Sequence, residues 1–238
     1  MQFFRVILSI FLYLTGLFVF AVFGSIFIII SFFSQKAMFA YIPFFCRLLL
    51  LSLGVVVKVH GKFPLNGPYV LMFNHGSFID PFVYASIIKG KFTAVIAAEN
   101  YKIPLFSSML RKFRAIPIHR KNKQKALESI KCAENIIKKE GYHMAILPEG
   151  TRTLTGELLP FKKGGFHMAI NTQTPILPIG AALPFSYKPK NRFTLSPRVI
   201  DMYIGKEIPI DSYEKLGVDG LLRKVETQIE LLTSSQKD

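Results

Sequence analysis

Residues 6–33 carry no charged side chain and consist almost wholly of Ile, Leu, Val, Phe, Ala and Gly. As a helix, such a run is long enough to cross a hydrocarbon core of about 30 Å. That constrains everything else: a chain with this segment works at a membrane. A secretory signal peptide would be shorter and would end at a small-residue cleavage site. This run does neither, and leads into a second apolar stretch, about 37–57, interrupted by Pro43 and Arg47. We expect a two-helix hydrophobic membrane anchor over residues 1–57, with Arg47 snorkelling to the phosphate level, and a catalytic domain over 58–238.

Lys and Arg outnumber Asp and Glu by 30 to 15, a formal net charge of +15. Residues 1–57 contribute only Arg5, Lys36 and Arg47 to this and no acid, so +12 falls on residues 58–238. A domain so basic takes an anionic partner: nucleic acid, a phospholipid surface or a phosphorylated substrate. The apolar N-terminus selects the membrane phospholipid. Nucleic acid ranks last, because the aromatics crowd into the anchor instead of alternating with basic residues. In a helical hairpin, Arg5 and the basic domain share one side with only Lys36 at the far turn, which puts the catalytic domain on the cytoplasmic face. Cys46 and Cys132 make no disulfide framework.

Beyond the anchor, strand-length apolar runs alternate with amphipathic helical stretches, the pattern of an α/β fold in which helices flank a central sheet. Strands are expected at 55–59 and 69–73, paired across the turn Pro64-Leu65-Asn66-Gly67-Pro68, and at 92–97, 115–118, 143–147 and 176–182, with a strand pair within 193–204. Helices are expected at 81–88, 104–110, 123–139, 163–171 and 211–232, the last capped by Asp211. Helix 123–139 turns Ala126, Ile130, Ala133, Ile136 and Ile137 inward and its lysines outward.

Three clusters follow strand ends. Asn74-His75-Gly76-Ser77-Phe78-Ile79-Asp80 sets a histidine and an aspartate five positions apart. The imidazole can take a proton from a hydroxyl while the carboxylate holds its far nitrogen and stabilises the imidazolium. Leu147-Pro148-Glu149-Gly150-Thr151-Arg152 combines an acid, a turn-forming glycine and a guanidinium fork suited to phosphate; Lys162 and Lys163 follow it at a helix start. Arg120 ends the strand 115–118. If these strands run parallel, all three clusters meet beyond one sheet edge. Each alone is more often a solvated loop; together, after an anchor, they read as a site. An amide near Gly76 or Gly150 is the expected oxyanion donor.

In their order, the Asn74-His75…Asp80 block, the strand ending at Arg120, the block 148–152 and the strand Ile176-Leu177-Pro178-Ile179 resemble the four motifs of the glycerolipid acyltransferases, and in particular the 1-acylglycerol-3-phosphate acyltransferases. The resemblance spans about residues 55–185. It implies a mixed central sheet flanked by helices, a two-helix anchor, catalytic roles for His75 and Asp80, and an acceptor site built by Arg120, Glu149, Gly150, Thr151 and Arg152, to which Lys162 is added. The chain departs from the family at Leu147, where Phe is common, and at His119 before the arginine; both leave the chemical groups in place. The implied reaction moves a fatty acyl group from an acyl-CoA or acyl-carrier-protein thioester to the free hydroxyl of lysophosphatidic acid, giving phosphatidic acid. The alternative acceptor is another lysolipid, such as a lyso-ornithine lipid or a lysophospholipid; a non-enzymatic membrane adaptor is the third reading. No cofactor is expected beyond the thioester co-substrate. No metal is expected either, since His60, His119, His143 and His167 have no carboxylate or second ligand at metal spacing.

Overall fold

The computed structural model of the protein describes residues 2–119, 122–182 and 184–234. At its centre is a seven-stranded sheet: β1 (Val55–His60), β2 (Val70–Phe73), β3 (Phe92–Ala97), β4 (Ile116–Ile118), β5 (His143–Ile146), β6 (Ile176–Ala181) and β7 (Arg198–Ile204), in the order β1-β7-β6-β2-β5-β3-β4. Every neighbouring pair is parallel except β6 and β7, so the sheet is mixed. Each residue of β2, β5 and β6 is buried, as expected of unbroken apolar strands covered by helices on both faces.

The expected pairing of β1 with β2 does not occur. β1 pairs with β7 at the sheet margin, while β2 lies between β6 and β5. The difference is one of burial: most of β1 is exposed or half-buried and carries Lys58 and His60, whereas β2 is buried throughout. Two further expectations fail locally. Residues 193–204 hold a single strand, β7, because the stretch before it is an irregular loop clamped by Arg192 and ended by Pro197. Asp211 falls within a short 3₁₀ turn (Ile210–Ser212) ahead of the last helix and makes no side-chain cap.

The helices form two layers. On one face, α2 (Gln35–Ser52) packs on α3 (Asp80–Ala85), and α1 (Gln2–Phe33) packs on α2 and on α4 (Phe106–Lys112). On the other, α5 (Lys123–Glu140) packs on α6 (Gly164–Thr172), which packs on α8 (Tyr213–Ser234); α7 (Pro184–Tyr187) is a single turn between β6 and β7. α5 starts where Asn122 Oδ1 accepts the Lys125 amide and ends at Gly141, and it buries Ala133, Ile136 and Ile137 as its pattern predicts. α8 breaks at Gly217, a residue in left-handed backbone.

The two-helix anchor needs correction. Among the described residues, one helix is long and apolar enough to cross a membrane, and that is α1. α2 contains Lys36, Pro43 and Arg47, and its inner face (Met38, Phe39, Ile42, Phe45, Leu49 and Leu50) is buried in the same core as the sheet. α1 touches the rest of the protein along most of its length. Ser9 Oγ accepts the Leu195 amide at 2.9 Å, Thr15 Oγ1 donates to Ser52 O at 2.9 Å, Phe20 packs on Phe82 and Phe106, and the Lys112 ammonium sits 3.4 Å from the Phe32 ring centroid. The opposite face of α1 exposes a stripe through Phe4, Ile7, Phe11, Leu14, Phe18 and Ile29.

Candidate active site

The connections out of β2 and β5 diverge. From β2 the chain passes through α3 to β3, beyond β5; from β5 it passes through α6 to β6, on the other side of β2. The crevice at the carboxyl ends of β2 and β5 is therefore a topological switch point, where open α/β sheets bind ligands. The loops 74–80 and 147–163 both leave from it.

Asn74 fixes the first loop. Its side-chain amide donates to Ala181 O at 3.0 Å and its Oδ1 accepts Ala181 N at 2.8 Å, tying the end of β2 to the end of β6. The buried Tyr84 hydroxyl donates to Asn74 O. The chain then turns tightly onto Asp80, which has no exposed surface. Asp80 Oδ2 accepts three hydrogen bonds, from Gly76 N, from Ser77 N and from His75 Nδ1, each at 2.8 Å. Gly76 is required by close approach, since a Cβ there would lie 2.9 Å from Phe185 N. Donation from Nδ1 fixes the imidazole tautomer and leaves Nε2 free to accept.

The second loop holds the main chain of His75 from both sides. Glu149 Oε1 accepts His75 N at 2.6 Å, and Thr153 N donates to His75 O at 3.0 Å. Glu149 Oε2 takes Leu159 N at 3.0 Å, closing the loop on itself. Burial pushes the Glu149 carboxyl up to about 7; the two backbone donors oppose this and Asp80 adds to it. Gly150 has φ +70°, and a Cβ on it would come 2.7 Å from Lys162 Nζ.

Two cavities meet at His75. One of about 160 Å³ is lined by Ile118, Pro148, Gly150 and Lys162. The other, about 500 Å³, is lined by Phe20, Phe78, Asn100, Thr151, Arg152 and Lys190. A third, about 120 Å³ and almost wholly apolar, lies behind Pro81 and Phe82 among α2, α3, α4 and β3. The structure thus joins His75 to Asp80 as expected, and divides Gly150 and Lys162 from Thr151 and Arg152 between two cavities. Glu149 lines none of these three cavities, and both its oxygens face amides. Arg120 lies outside the described residues. The expected oxyanion donors are both engaged, Gly76 N by Asp80 and Gly150 N by Leu147 O at 2.9 Å.

Sequence reasoning missed Asn74 and Thr153, which sit in or beside the motifs and act through the backbone. It also missed Phe20, whose position in α1 gives no sign of a cavity. Ser77 Oγ and Asp80 Oδ1 are buried without a protein partner among the described residues. His60 does meet a carboxylate, Asp201 at 2.7 Å across the β1–β7 pair. No group of three His, Cys, Asp or Glu suited to a metal occurs among the described residues.

A sheet of this order with a His–Asp pair at its switch point is the setting for an α/β enzyme site, and comparison with known proteins gives its class. The Acyltransferase family model matches residues 56–182, and the chain belongs to that family. It is 30% identical over 192 residues to a 1-acyl-sn-glycerol-3-phosphate acyltransferase of Cocos nucifera, covering 80% of this chain and 62% of that one. It is 31% identical to the human 1-acyl-sn-glycerol-3-phosphate acyltransferase alpha, over 62% of this chain and 55% of that one. The chain spans about three fifths of the length of these relatives. The crystal structure of the 1-acyl-sn-glycerophosphate acyltransferase PlsC of Thermotoga maritima has the same fold, with a TM-score of 0.82 over 95% of each chain and 22% identity.

Proposed function

We propose that the protein transfers a fatty acyl group from a thioester, acyl-CoA or acyl-carrier protein, to the free hydroxyl of lysophosphatidic acid. The observation that carries this is the bond from His75 Nδ1 to the fully buried Asp80, which leaves Nε2 as a base where two cavities meet. His75 Nε2 takes the hydroxyl proton as the oxygen attacks the thioester carbonyl. The tetrahedral intermediate collapses, the C–S bond breaks, and the imidazolium returns its proton to the departing thiolate. The Asp80 carboxylate at Nδ1 stabilises the imidazolium. General-base help of this kind is worth typically 10²–10⁴-fold, and holding both substrates in place contributes on the order of 7–11 kcal/mol.

Arg152 offers its fork to the acceptor phosphate in the larger cavity, and the apolar cavity behind Pro81 and Phe82 receives the acyl chain. Bringing a C16 chain into water would cost about 0.8 kcal/mol per CH₂, on the order of 12 kcal/mol in all. α1 removes that cost. Because one side of it is packed on the domain from Ser9 to Phe32, it cannot cross the bilayer without carrying the basic domain in with it. It lies in the plane of the interface, its outer stripe in the acyl region.

The test is purified protein with an acyl thioester and lysophosphatidic acid in mixed micelles, scored by thiol release. His75→Ala is expected to lower turnover at least a hundredfold with the fold retained; unchanged turnover overturns the mechanism. Activity confined to a lysolipid lacking a phosphate monoester overturns the acceptor.

A further inference from the structure

The loop after α7 brings two lysines that belong to no motif to the mouth of the larger cavity. Lys190 lines it beside His75, Thr151 and Arg152. The Lys188 ammonium stands 5.7 Å from the ring centroid of Phe78, which lines the same cavity. Arg192 holds the loop in shape: its guanidinium donates to Ser186 O at 3.1 Å, Tyr187 O at 3.0 Å, Thr194 O at 3.1 Å and Ser196 Oγ at 2.9 Å. The loop is also fastened to α1, through the Leu195 amide on Ser9 Oγ and the Tyr13 hydroxyl on Phe193 O, both at 2.9 Å. Arg192 is thereby consumed by backbone carbonyls, whereas Lys188, Lys190 and Arg152 have no ion-pair partner among the described residues. Among the described residues, no Asp or Glu lines the cavity.

Cations gathered around a partly enclosed space, with no acid among them, repel one another unless an anion enters. Lys188 feels this: burial lowers its pKa first, and the charges of Arg152 and Arg192 lower it further. We infer that Lys188 and Lys190 close on Arg152 as a clamp for a phosphate group of a substrate, on the side of His75 that faces α1. The inference rests on the acyl-transfer reading and adds residues to it. Both the acceptor's phosphate monoester and the phosphates of the donor's carrier have this chemistry. Phe20 of α1 lines the cavity, so a ligand there lies against the inner side of the helix that we propose rests in the interface, which assigns the clamp to the lipid acceptor.

The experiment compares Lys188→Gln, Lys190→Gln and the double variant with Lys188→Arg/Lys190→Arg. Steady-state rates are measured with acyl-CoA and with a phosphate-free acyl-N-acetylcysteamine thioester as donors. Each Gln substitution is expected to raise the acceptor KM about tenfold, the loss of one charge-assisted hydrogen bond, with either donor, and the double Arg variant to restore it. A rise in the donor KM that vanishes with the phosphate-free thioester overturns the acceptor assignment. Phosphorus NMR of lysophosphatidic acid bound without donor, in competition with uncharged monoacylglycerol, separates clamp from reaction. If wild type prefers lysophosphatidic acid and the double variant does not, the clamp stands even where no transfer is detected. Transfer with unchanged KM and unchanged preference in the double variant refutes it.

Discussion

Replacing Asp80 with Asn separates the charge at this position from its hydrogen bonds. Asp80 has no solvent exposure and its Oδ2 is 2.8 Å from His75 Nδ1. At an effective dielectric constant of about 20, an imidazolium and a carboxylate at that distance attract by roughly 6 kcal/mol. The neutral amide retains about 1–2 kcal/mol as a hydrogen bond, so about 4 kcal/mol of imidazolium stabilisation is lost. At about 1.4 kcal/mol per decade, turnover should fall roughly 10²–10⁴-fold. Stability should barely move, because the Asn carbonyl still accepts from Gly76 N and Ser77 N. Asp80→Ala orphans both buried amides, at about 1–3 kcal/mol each, and should lose fold and activity together. Thiol-release kinetics and thermal unfolding in the same detergent score both variants. An Asn variant within threefold of wild-type turnover would refute the assignment of Asp80 as the carboxylate behind the base.

His143 is buried, accepts Tyr69 N on Nδ1 at 3.1 Å, and is lowered by burial to about 4 from an ordinary 6.5. The unfolded chain takes the proton below pH 6.5 while the folded one resists it to about pH 4. Stability is therefore lost as pH falls through that window, by roughly 3 kcal/mol in all. Glu149, raised toward 7, tilts stability the opposite way between about pH 4.5 and 7, so the difference between wild type and His143→Gln isolates the histidine; parallel pH profiles sink the idea. Gly150→Ala forces φ +70° on a residue with a Cβ and pushes Lys162 aside, which should cost about 1–2 kcal/mol of stability and raise the acceptor KM several-fold; a silent substitution counts against a tight loop. Phe11→Lys with Leu14→Lys on the outer stripe of α1 should weaken vesicle binding at least tenfold, from about 1.5–3 kcal/mol per apolar side chain withdrawn, as read by co-sedimentation; undiminished binding would mean the stripe does not enter lipid.

The strands were legible because their apolar runs are short and bounded by turn residues. Their neighbours were not. The Pro64–Pro68 turn suggests a β1–β2 hairpin, and only burial, with Lys58 and His60 in β1 against none in β2, favours the margin for one and the centre for the other. α2 reads as a second membrane helix because its composition is apolar; Pro43, Lys36 and Arg47 are the signs against that, and its inner face is buried in the core of the sheet. In the site, His75 and Asp80 were legible because their chemistry is local, separated by one turn of chain. The part of Glu149 was not, since a carboxylate that accepts two backbone amides reads in sequence like one that meets a ligand. Lys188 and Lys190 carry no local signal at all. Their position depends on Arg192 and on a loop fastened to a helix some 180 residues earlier in the chain.

Phe20 gives α1 a place in the wall of the cavity that holds His75, so the helix that we propose rests in the interface also borders the space beside this histidine. A catalyst entered from that interface responds to how crowded the surface is with its acceptor, not to how much acceptor the tube contains. Diluting lysophosphatidic acid with an inert lipid at constant bulk concentration should slow it, while adding vesicles of unchanged composition should not. On the proposed reading, its effective KM is a mole fraction and the composition of the leaflet sets the rate.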